Sequence, residues 1–289
     1  MKNIIITGSS SGFGLKAAKD FADKGYKVYA TMRKPEGKNA AKKAELEKHS
    51  SNIKVVDLDV TSDDSVKNAI EGIINEAGNI DILINNAGIM FLGITEAFSV
   101  GQAQKQMDVN YFGAIRTMQA VLPAMRKAGS GLIINTSSLV GRISPPFFST
   151  YTATKHALEG YVQGLRYEVS PFGVDIVVVE PGPFGTGLLA SGQAPEHQEV
   201  LATYGELANV PSAMAESFSQ LLQSEEAPDP QWVVDSYLKL AEMPAGKRPT
   251  RTVVGITWGV DEMNNLTQPI QDRVLKEMQL DSVLGGVSG

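Results

Sequence analysis

Tyr151 and Lys155 stand four residues apart in Tyr151-Thr-Ala-Thr-Lys155. A helix through them carries both side chains on one face. An ammonium beside a phenol favours phenolate and so lowers the phenol's pKa. Such a tyrosine trades a proton near neutral pH, which an isolated phenol with a pKa of about 10 does poorly. Upstream, Gly131-Leu-Ile-Ile-Asn-Thr-Ser-Ser138 reads as a buried strand running straight into two hydroxyls. The bland alternative for the pair is a solvated helix face. The rest of the chain decides between them, by supplying or withholding the other parts of a site.

The N-terminus supplies one part. Asn3 to Thr7 is a short apolar run, followed at once by Thr7-Gly-Ser-Ser-Ser-Gly-Phe-Gly14 and a helical pattern through Lys24. Glycines at 8, 12 and 14 between a strand and a helix let backbone N–H groups approach a phosphate at the helix N-terminus. A second strand, Lys27 to Thr31, ends at Met32-Arg33-Lys34, where a dinucleotide fold meets the adenosine ribose. No Asp or Glu stands there to take the 2′-hydroxyl of NAD. Arg33 instead offers a cation to a 2′-phosphate, so NADP(H) is expected in preference to NAD(H). A solvated loop at Arg33 and Lys34 is the competing reading.

Further elements follow in alternation: a strand Ile53 to Leu58, a helix Ser62 to Ala77 with Ser62 as N-cap, and a strand Ile80 to Ile84 running into Asn85-Asn86-Ala87-Gly88. Small residues and amides after a central strand let a cofactor lie close to the backbone. Ile89 to Leu92 is apolar where a loop is normally polar, which makes it either a pocket wall or a locally buried loop. One helix is expected from Gln102 to Lys127, containing Asn110, whose amide must find partners if buried. A strand Val174 to Val179 leads into Glu180-Pro-Gly-Pro-Phe-Gly-Thr186. Leu188 to Pro230 is irregular, with weak helical patterning around Ala213 to Leu222. A helix Gln231 to Glu242, a last strand Arg251 to Val254, and a helical tail after Asp261 complete the chain, with Gly285 to Gly289 expected to be a flexible end. Strands alternating with helices predict a single-domain α/β fold over 1–289: a Rossmann-type, doubly wound parallel sheet of about seven strands.

Composition narrows the function classes. A length of 289 residues with 43% hydrophobic content can bury one large core, and a formal charge of −6 argues against nucleic acid or an anionic membrane as partner. There is no cysteine, and His49, His156 and His197 show no ligand spacing, so no metal site is expected. No apolar run is long enough to span a bilayer, and Met1-Lys-Asn leads directly into a strand without room for a signal peptide. A soluble, cytoplasmic protein is the expectation.

Taken together, Thr7-Gly-x-x-x-Gly-x-Gly14, Asn85-Asn-Ala-Gly88, Asn110, Ser138, Tyr151-x-x-x-Lys155 and Pro181-Gly-x-x-x-Thr186 resemble, in order and spacing, the pattern of the short-chain dehydrogenase/reductase family. The resemblance covers residues 3 to 186 and implies roles for matching positions. Gly8, Ser10, Ser11, Gly12, Phe13 and Gly14 would shape the pyrophosphate turn, Met32 and Arg33 the ribose site, and Asp59 and Val60 would meet adenine. Asn86, Ala87 and Gly88 would line the cofactor floor, and Pro181, Gly182, Phe184 and Thr186 would fix the carboxamide. Tyr151 would be the general acid for carbonyl reduction and, as phenolate, the base for alcohol oxidation. Lys155 would lower the Tyr151 pKa and bind the nicotinamide ribose. Ser138 would hydrogen-bond the substrate oxygen; it is preferred to Ser137 because it lies thirteen residues before Tyr151, the family's usual interval. Asn110 would hold a water in a proton relay. Phe184 departs from the pattern, standing where a smaller β-branched residue is common.

Val28-Tyr-Ala-Thr-Met-Arg33 is similar to the corresponding strand of 17β-hydroxysteroid and retinol dehydrogenases. With the apolar loops, it implies a bulky hydrophobic ketone, aldehyde or secondary alcohol in a pocket formed by Met90, Phe91, Pro145, Phe147, Phe148, Leu188 and Leu189, with 188–228 as a substrate lid. Many relatives pair through the helices carrying Asn110 and Tyr151, so a homodimer or homotetramer is expected. The competing readings are an NAD-preferring alcohol dehydrogenase, a non-catalytic dinucleotide-binding regulator, and a nucleotide-sugar epimerase or dehydratase; the last would show a different glycine spacing and lack Asn85-Asn-Ala-Gly88.

Overall fold

Apolar runs of four to eight residues, too short for helices and bounded by glycines and polar turns, form seven parallel strands in the computed structural model, which describes residues 1–224 and 226–280. They are β1 (Asn3–Ile6), β2 (Lys27–Met32), β3 (Ile53–Asp57), β4 (Ile82–Asn85), β5 (Gly131–Thr136), β6 (Val174–Pro181) and β7 (Arg251–Val254). Their order across the sheet is β3-β2-β1-β4-β5-β6-β7, every pair parallel. The order reverses between β1 and β4, and a crevice opens outside the strand ends at such a switch point. The fold class is the one the alternation predicts. The expected flexible end, Gly285 to Gly289, lies outside the described residues.

Helices cover both faces: α1 (Gly12–Asp23), α2 (Ala40–His49), α3 (Asp63–Ala77), α4 (Val100–Met107), α5 (Gly113–Ala128), α6 (Ser149–Val169), α7 (Gln198–Thr203), α8 (Val210–Leu221), α9 (Gln231–Glu242) and α10 (Val260–Glu277). Successive strand side chains alternate between the faces. Ile4 and Ile6 therefore pack with Phe21, Val233 and Tyr237 on the α1–α9 side, while Ile5 joins Ile70, Met118 and Val162 on the α3–α5–α6 side. All three isoleucines are fully buried.

Several elements differ from the sequence expectation, among them α7, a helix in a stretch expected to be irregular. Helix α2 was not anticipated, because its pattern buries only Leu46 and leaves no apolar stripe to read. The single helix expected over Gln102 to Lys127 is interrupted at Asp108–Phe112 by a π turn, in which Gly113 N–H bonds Asp108 O. Close packing holds it there: a Cβ on Gly113 would lie 2.9 Å from Val60. The fourth strand starts at Ile82 rather than Ile80 and runs on through Asn85, which pairs in register with Asn135.

Candidate active site

Strand β5 ends at Thr136, and Ser138 then caps a short 3-10 turn, its Oγ accepting from Val140 N–H at 3.4 Å. Tyr151 and Lys155 lie in the first two turns of α6, 4% and 5% exposed. The Ser138 hydroxyl lies on the Tyr151 side, close enough to favour the ionised phenol. Ser137, the competing serine, is turned to the opposite side, where its Oγ donates to Glu159 Oε1 at 2.7 Å. The thirteen-residue interval therefore picks the serine that meets the tyrosine.

Lys155 does not press its charge onto the phenol. Its Nζ donates to Thr136 O at 2.8 Å and lies 5.7 Å from the Tyr151 ring centroid. Burial pushes the Tyr151 phenol above its ordinary range, and the Ser138 hydroxyl only partly opposes this. The expected depression of the Tyr151 pKa is thus absent from this arrangement: desolvation outweighs a cation engaged elsewhere. Lys155 itself is pushed down to about 8 by burial, with the Glu159 carboxylate acting against that fall. Tyr151 is accordingly neutral at physiological pH.

Asn110, buried in the π turn, accepts Ile89 N–H at 2.8 Å through Oδ1 and donates to Ile89 O at 2.8 Å and to Thr154 Oγ1 at 3.0 Å. Both amide hydrogens are spent, and the side chain clamps the loop after β4. A cavity of about 10 Å³ beside it, lined by Thr7, Asn85 and Thr136 among others, is near the minimum for one water molecule.

A single cavity of about 470 Å³ runs from the end of β2 to the α6 pair. Gly8, Ser10, Ser11, Gly12, Phe13, Met32, Arg33, Asp59 and Val60 line it, as do Asn86, Ala87, Gly88, Ser138, Tyr151, Lys155, Pro181, Gly182, Phe184 and Thr186. Gly14 does not, because it is packed beneath the turn: a Cβ there would lie 2.5 Å from both Asn86 Nδ2 and Gly8 O. Gly8 adopts φ 70°, and a Cβ would approach Ala87 Cα to 2.8 Å. Thr7 Oγ1 accepts the N–H groups of Asn86 and Ala87 (2.9 and 3.0 Å), and Asn86 Nδ2 donates back to Thr7 O at 2.9 Å. Ser11, the N-cap of α1, makes no side-chain cap, so the first N–H groups of the helix point into this cradle. These residues fit a dinucleotide pyrophosphate.

The substrate side is apolar. Met90, Val140, Phe148 and Tyr151 form a buried cluster against Leu188, Leu189, Met214 and Phe218, and Pro145 also lines the cavity. Two expected pocket residues do not line it. Phe91 is fully buried, stacked on Phe98 with centroids 5.8 Å apart, so the Ile89–Leu92 run is pocket wall at Met90 and packed loop at Phe91. Phe147 adopts φ 70°, uncommon for an aromatic residue, and its carbonyl accepts Gly93 N–H at 3.0 Å. That turn presents Phe148 to the cavity instead.

The sequence reading missed Lys38 and Asn39 near Arg33, and Met214, Phe218, Leu222 and Trp258 on the apolar side. The spacing of Met214, Phe218 and Leu222, four apart on one helical face, was the available signal. Trp258 carried none. Phe184, the departure from the family pattern, is held edge-on to Phe13 (5.6 Å) and Trp232 (6.5 Å), and only a glycine at 255 leaves room for its ring.

A crevice at a sheet switch point and a glycine cradle at a helix N-terminus define a Rossmann-type fold, with a buried Ser–Tyr–Lys group beside the crevice. A family model described as short chain dehydrogenase matches residues 2–197, and the chain belongs to that family. It is 42% identical over 184 residues to 3-ketodihydrosphingosine reductase of Bacteroides thetaiotaomicron, a match spanning 64% of each chain. It is 38% identical over 188 residues to human retinol dehydrogenase 8, spanning 64% of this chain and 60% of that one. The matches thus cover less than two-thirds of either relative's own length. Among solved structures, a short-chain dehydrogenase from Streptomyces avermitilis superposes with a TM-score of 0.78 at 28% identity, covering 98% of both chains. Among the described residues no helix is long and apolar enough to cross a membrane.

Proposed function

We infer that this protein is an NADP(H)-dependent reductase of bulky hydrophobic ketones or aldehydes. The observation that carries the reading is one cavity joining a cationic end, with Arg33 and Lys38, to an apolar cluster built around the Tyr151 phenol. The two ends lie at β2 and β5, three strand spacings or about 14 Å apart. At the cationic end, Arg33 is exposed and has no ion pair among the described residues. The carboxylate in register with that strand end, Asp57 opposite Met32, accepts Lys34 N–H at 2.9 Å. A 2′-phosphate therefore has a cation to meet, whereas a free ribose 2′-hydroxyl has no carboxylate dedicated to it.

Bound NADPH would supply a hydride to the carbonyl carbon. Tyr151 gives its phenolic proton to the carbonyl oxygen, and Ser138 donates a hydrogen bond to the same oxygen as negative charge develops. Lys155 then returns the tyrosine toward its neutral form as part of the proton path. Asn110, by clamping Ile89 on both its N–H and its C=O, keeps the loop after Gly88 in place beside the reacting groups.

The names of the relatives, a 3-ketodihydrosphingosine reductase and a retinol dehydrogenase, support an apolar substrate. Residues 188–228 would cover it as a lid. In α7 and α8, which form much of that segment, Pro211 alone is buried. Assembly as a homodimer or homotetramer through α4–α5 and α6 is part of the same reading, and Phe112, 46% exposed at the end of the π turn, supports it. Light scattering at micromolar concentration should show more than a monomer.

The central test is an NADPH-oxidation screen across hydrophobic ketones, aldehydes and steroids, with small polar sugars as controls. Turnover confined to the apolar compounds is expected, and comparable turnover of the sugars refutes the pocket assignment. Fluorescence titration should give tighter binding of NADPH than of NADH; the reverse refutes the role of Arg33.

A further inference from the structure

Behind Ser138 and Lys155 lies a buried charge cluster that the reaction as described does not use. Glu159 follows Lys155 by one helical turn on α6 and is 2% exposed; Glu180, near the end of β6, is fully buried. Glu159 is fully engaged: Oε1 accepts from Ser137 Oγ at 2.7 Å, and Oε2 accepts from Arg251 Nε at 3.0 Å. Gly141, just beyond Ser138, closes over it, since a Cβ there would collide with Glu159 Oε1 and approach Ser137 Oγ to 2.6 Å. The carboxylate is therefore the floor on which the Ser137–Gly141 loop rests, gripping it on both sides of Ser138.

Glu180 is placed differently. Its Oε2 accepts from Asn264 Nδ2 at 2.6 Å, but its Oε1 has no donor: Arg251 Nε, 3.5 Å away, gives its single hydrogen to Glu159. A buried carboxylate oxygen without a donor is satisfied if it carries a proton of its own, and Glu159 is the neighbouring acceptor. One guanidinium, one carboxylate and one carboxylic acid make a neutral cluster, which burial favours over two anions sharing one cation.

We propose that Glu159 is a positioning residue for the reduction, its carboxylate fixing the Ser138 loop one helical turn from Lys155, and that Glu180 is its protonated partner. The proposal rests on the reaction assigned above. The charged and titratable groups facing the cluster are Lys155 and Tyr151 on α6, Arg251 on β7, and Arg142, which reaches it through Asn264 and Thr267 of α10 (2.9 and 2.8 Å). On the α4–α5 side, Asp108 is already paired with Arg116 at 2.8 Å.

Three variants separate the parts. Glu159→Gln keeps an acceptor for Ser137 but removes the charge, Ser137→Ala keeps the charge but removes the tie to the loop, and Glu180→Gln replaces a neutral acid with a neutral amide. Each is assayed for NADPH affinity, for the pH profile of ketone reduction, and by 13Cε NMR titration of lysine-labelled protein, with Lys155→Arg assigning the resonance. The wild-type Lys155 midpoint is expected near pH 8. Glu159→Gln should lower it by roughly half to one pH unit and reduce kcat about tenfold with NADPH affinity held. Ser137→Ala should reduce kcat about threefold with the midpoint unmoved. Glu180→Gln should leave both near wild type at pH 7. An unshifted Lys155 midpoint in Glu159→Gln, or equal damage from Glu180→Gln at neutral pH, overturns the assignment. The NMR titration needs no turnover, so a protein that reduces no ketone refutes the reaction without silencing this test. Should Glu159→Gln fail to fold, Gly141→Ala, which pushes on the same carboxylate, must shift the Lys155 midpoint or the proposal fails.

Discussion

The two halves of the cavity are built on different principles. The dinucleotide half is backbone held at close quarters: Gly8 against Ala87, Gly14 against Asn86, and Thr7 bonded to two successive N–H groups. The substrate half is side chain on loops and on α8, where Met214 and Phe218 are only partly buried. Backbone contact at this range admits only particular residue types, whereas an apolar wall asks merely for hydrophobic residues of suitable size. The first half is thus fixed in shape and the second free to vary. One specifies the reaction and the other the compound.

The sharpest way to break that division is at the boundary between the halves. Tyr151→Phe should lower kcat by roughly 10²–10⁴-fold while NADPH affinity, read by fluorescence, stays within about threefold. Near wild-type turnover would remove tyrosine from the chemistry. Next in size is Gly14→Ala, which places a methyl 2.5 Å from Gly8 O and Asn86 Nδ2. It should cost about 1–3 kcal/mol in denaturant unfolding and weaken NADPH and NADH alike. Arg33→Ala should weaken NADPH by about tenfold and leave NADH unchanged, since one charge-assisted contact is lost. Phe218→Ala, on the opposite side of the comparison, should raise KM for bulky ketones by about five- to tenfold with NADPH affinity intact. If Phe218→Ala disturbed NADPH as much as substrate, the halves would not be separable.

The smallest expected effect concerns stability. Burial first, then the neighbouring Glu159 charge, raise Glu180 well above the carboxylate range. A raised acid binds more protons folded than unfolded, so its contribution to stability is whole at acid pH and is lost as pH rises from the ordinary carboxylate pKa through the raised one. Thermal melts of Glu180→Gln should therefore fall less steeply with pH than wild type between about pH 5 and 8. Parallel slopes would mean that Glu180 titrates normally.

The same contrast explains what was legible in the sequence. Strands β2 and β7, helix α9 and the glycine turn could be read because spacing and burial force them, whereas Ser138 was preferred to Ser137 only through the family resemblance. The π turn at Asp108–Phe112 could not: it depends on Gly113 meeting Val60, residues far apart in the chain. Helix α2 was invisible because its one buried residue, Leu46, makes no pattern. Phe147 and Phe148 are identical letters, and only a left-handed backbone at Phe147 decides which one faces the cavity. The Tyr151 pKa ran against expectation for a similar reason. Position on α6 is set by spacing, but the Lys155 amine is drawn to a carbonyl on β5 that no local pattern reveals.

The strand order carries a consequence for how the chain is made. Ile4 to Ile6 pair with β2 on one side and with Ile82 to Ile84 on the other. During synthesis the first edge is covered early, but the second must wait for the chain to grow to residue 84. Until then a strand with three successive isoleucines presents an open hydrogen-bonding edge, the kind of surface that draws other chains. The crevice lies over that same seam, where Gly8 packs against Ala87. A ligand seated there would staple the late-arriving part of the chain to the early one, stabilising the native state by about 2.7 kcal/mol at a hundred times its Kd. Cofactor supply would then govern how much newly made protein survives as well as how fast it works.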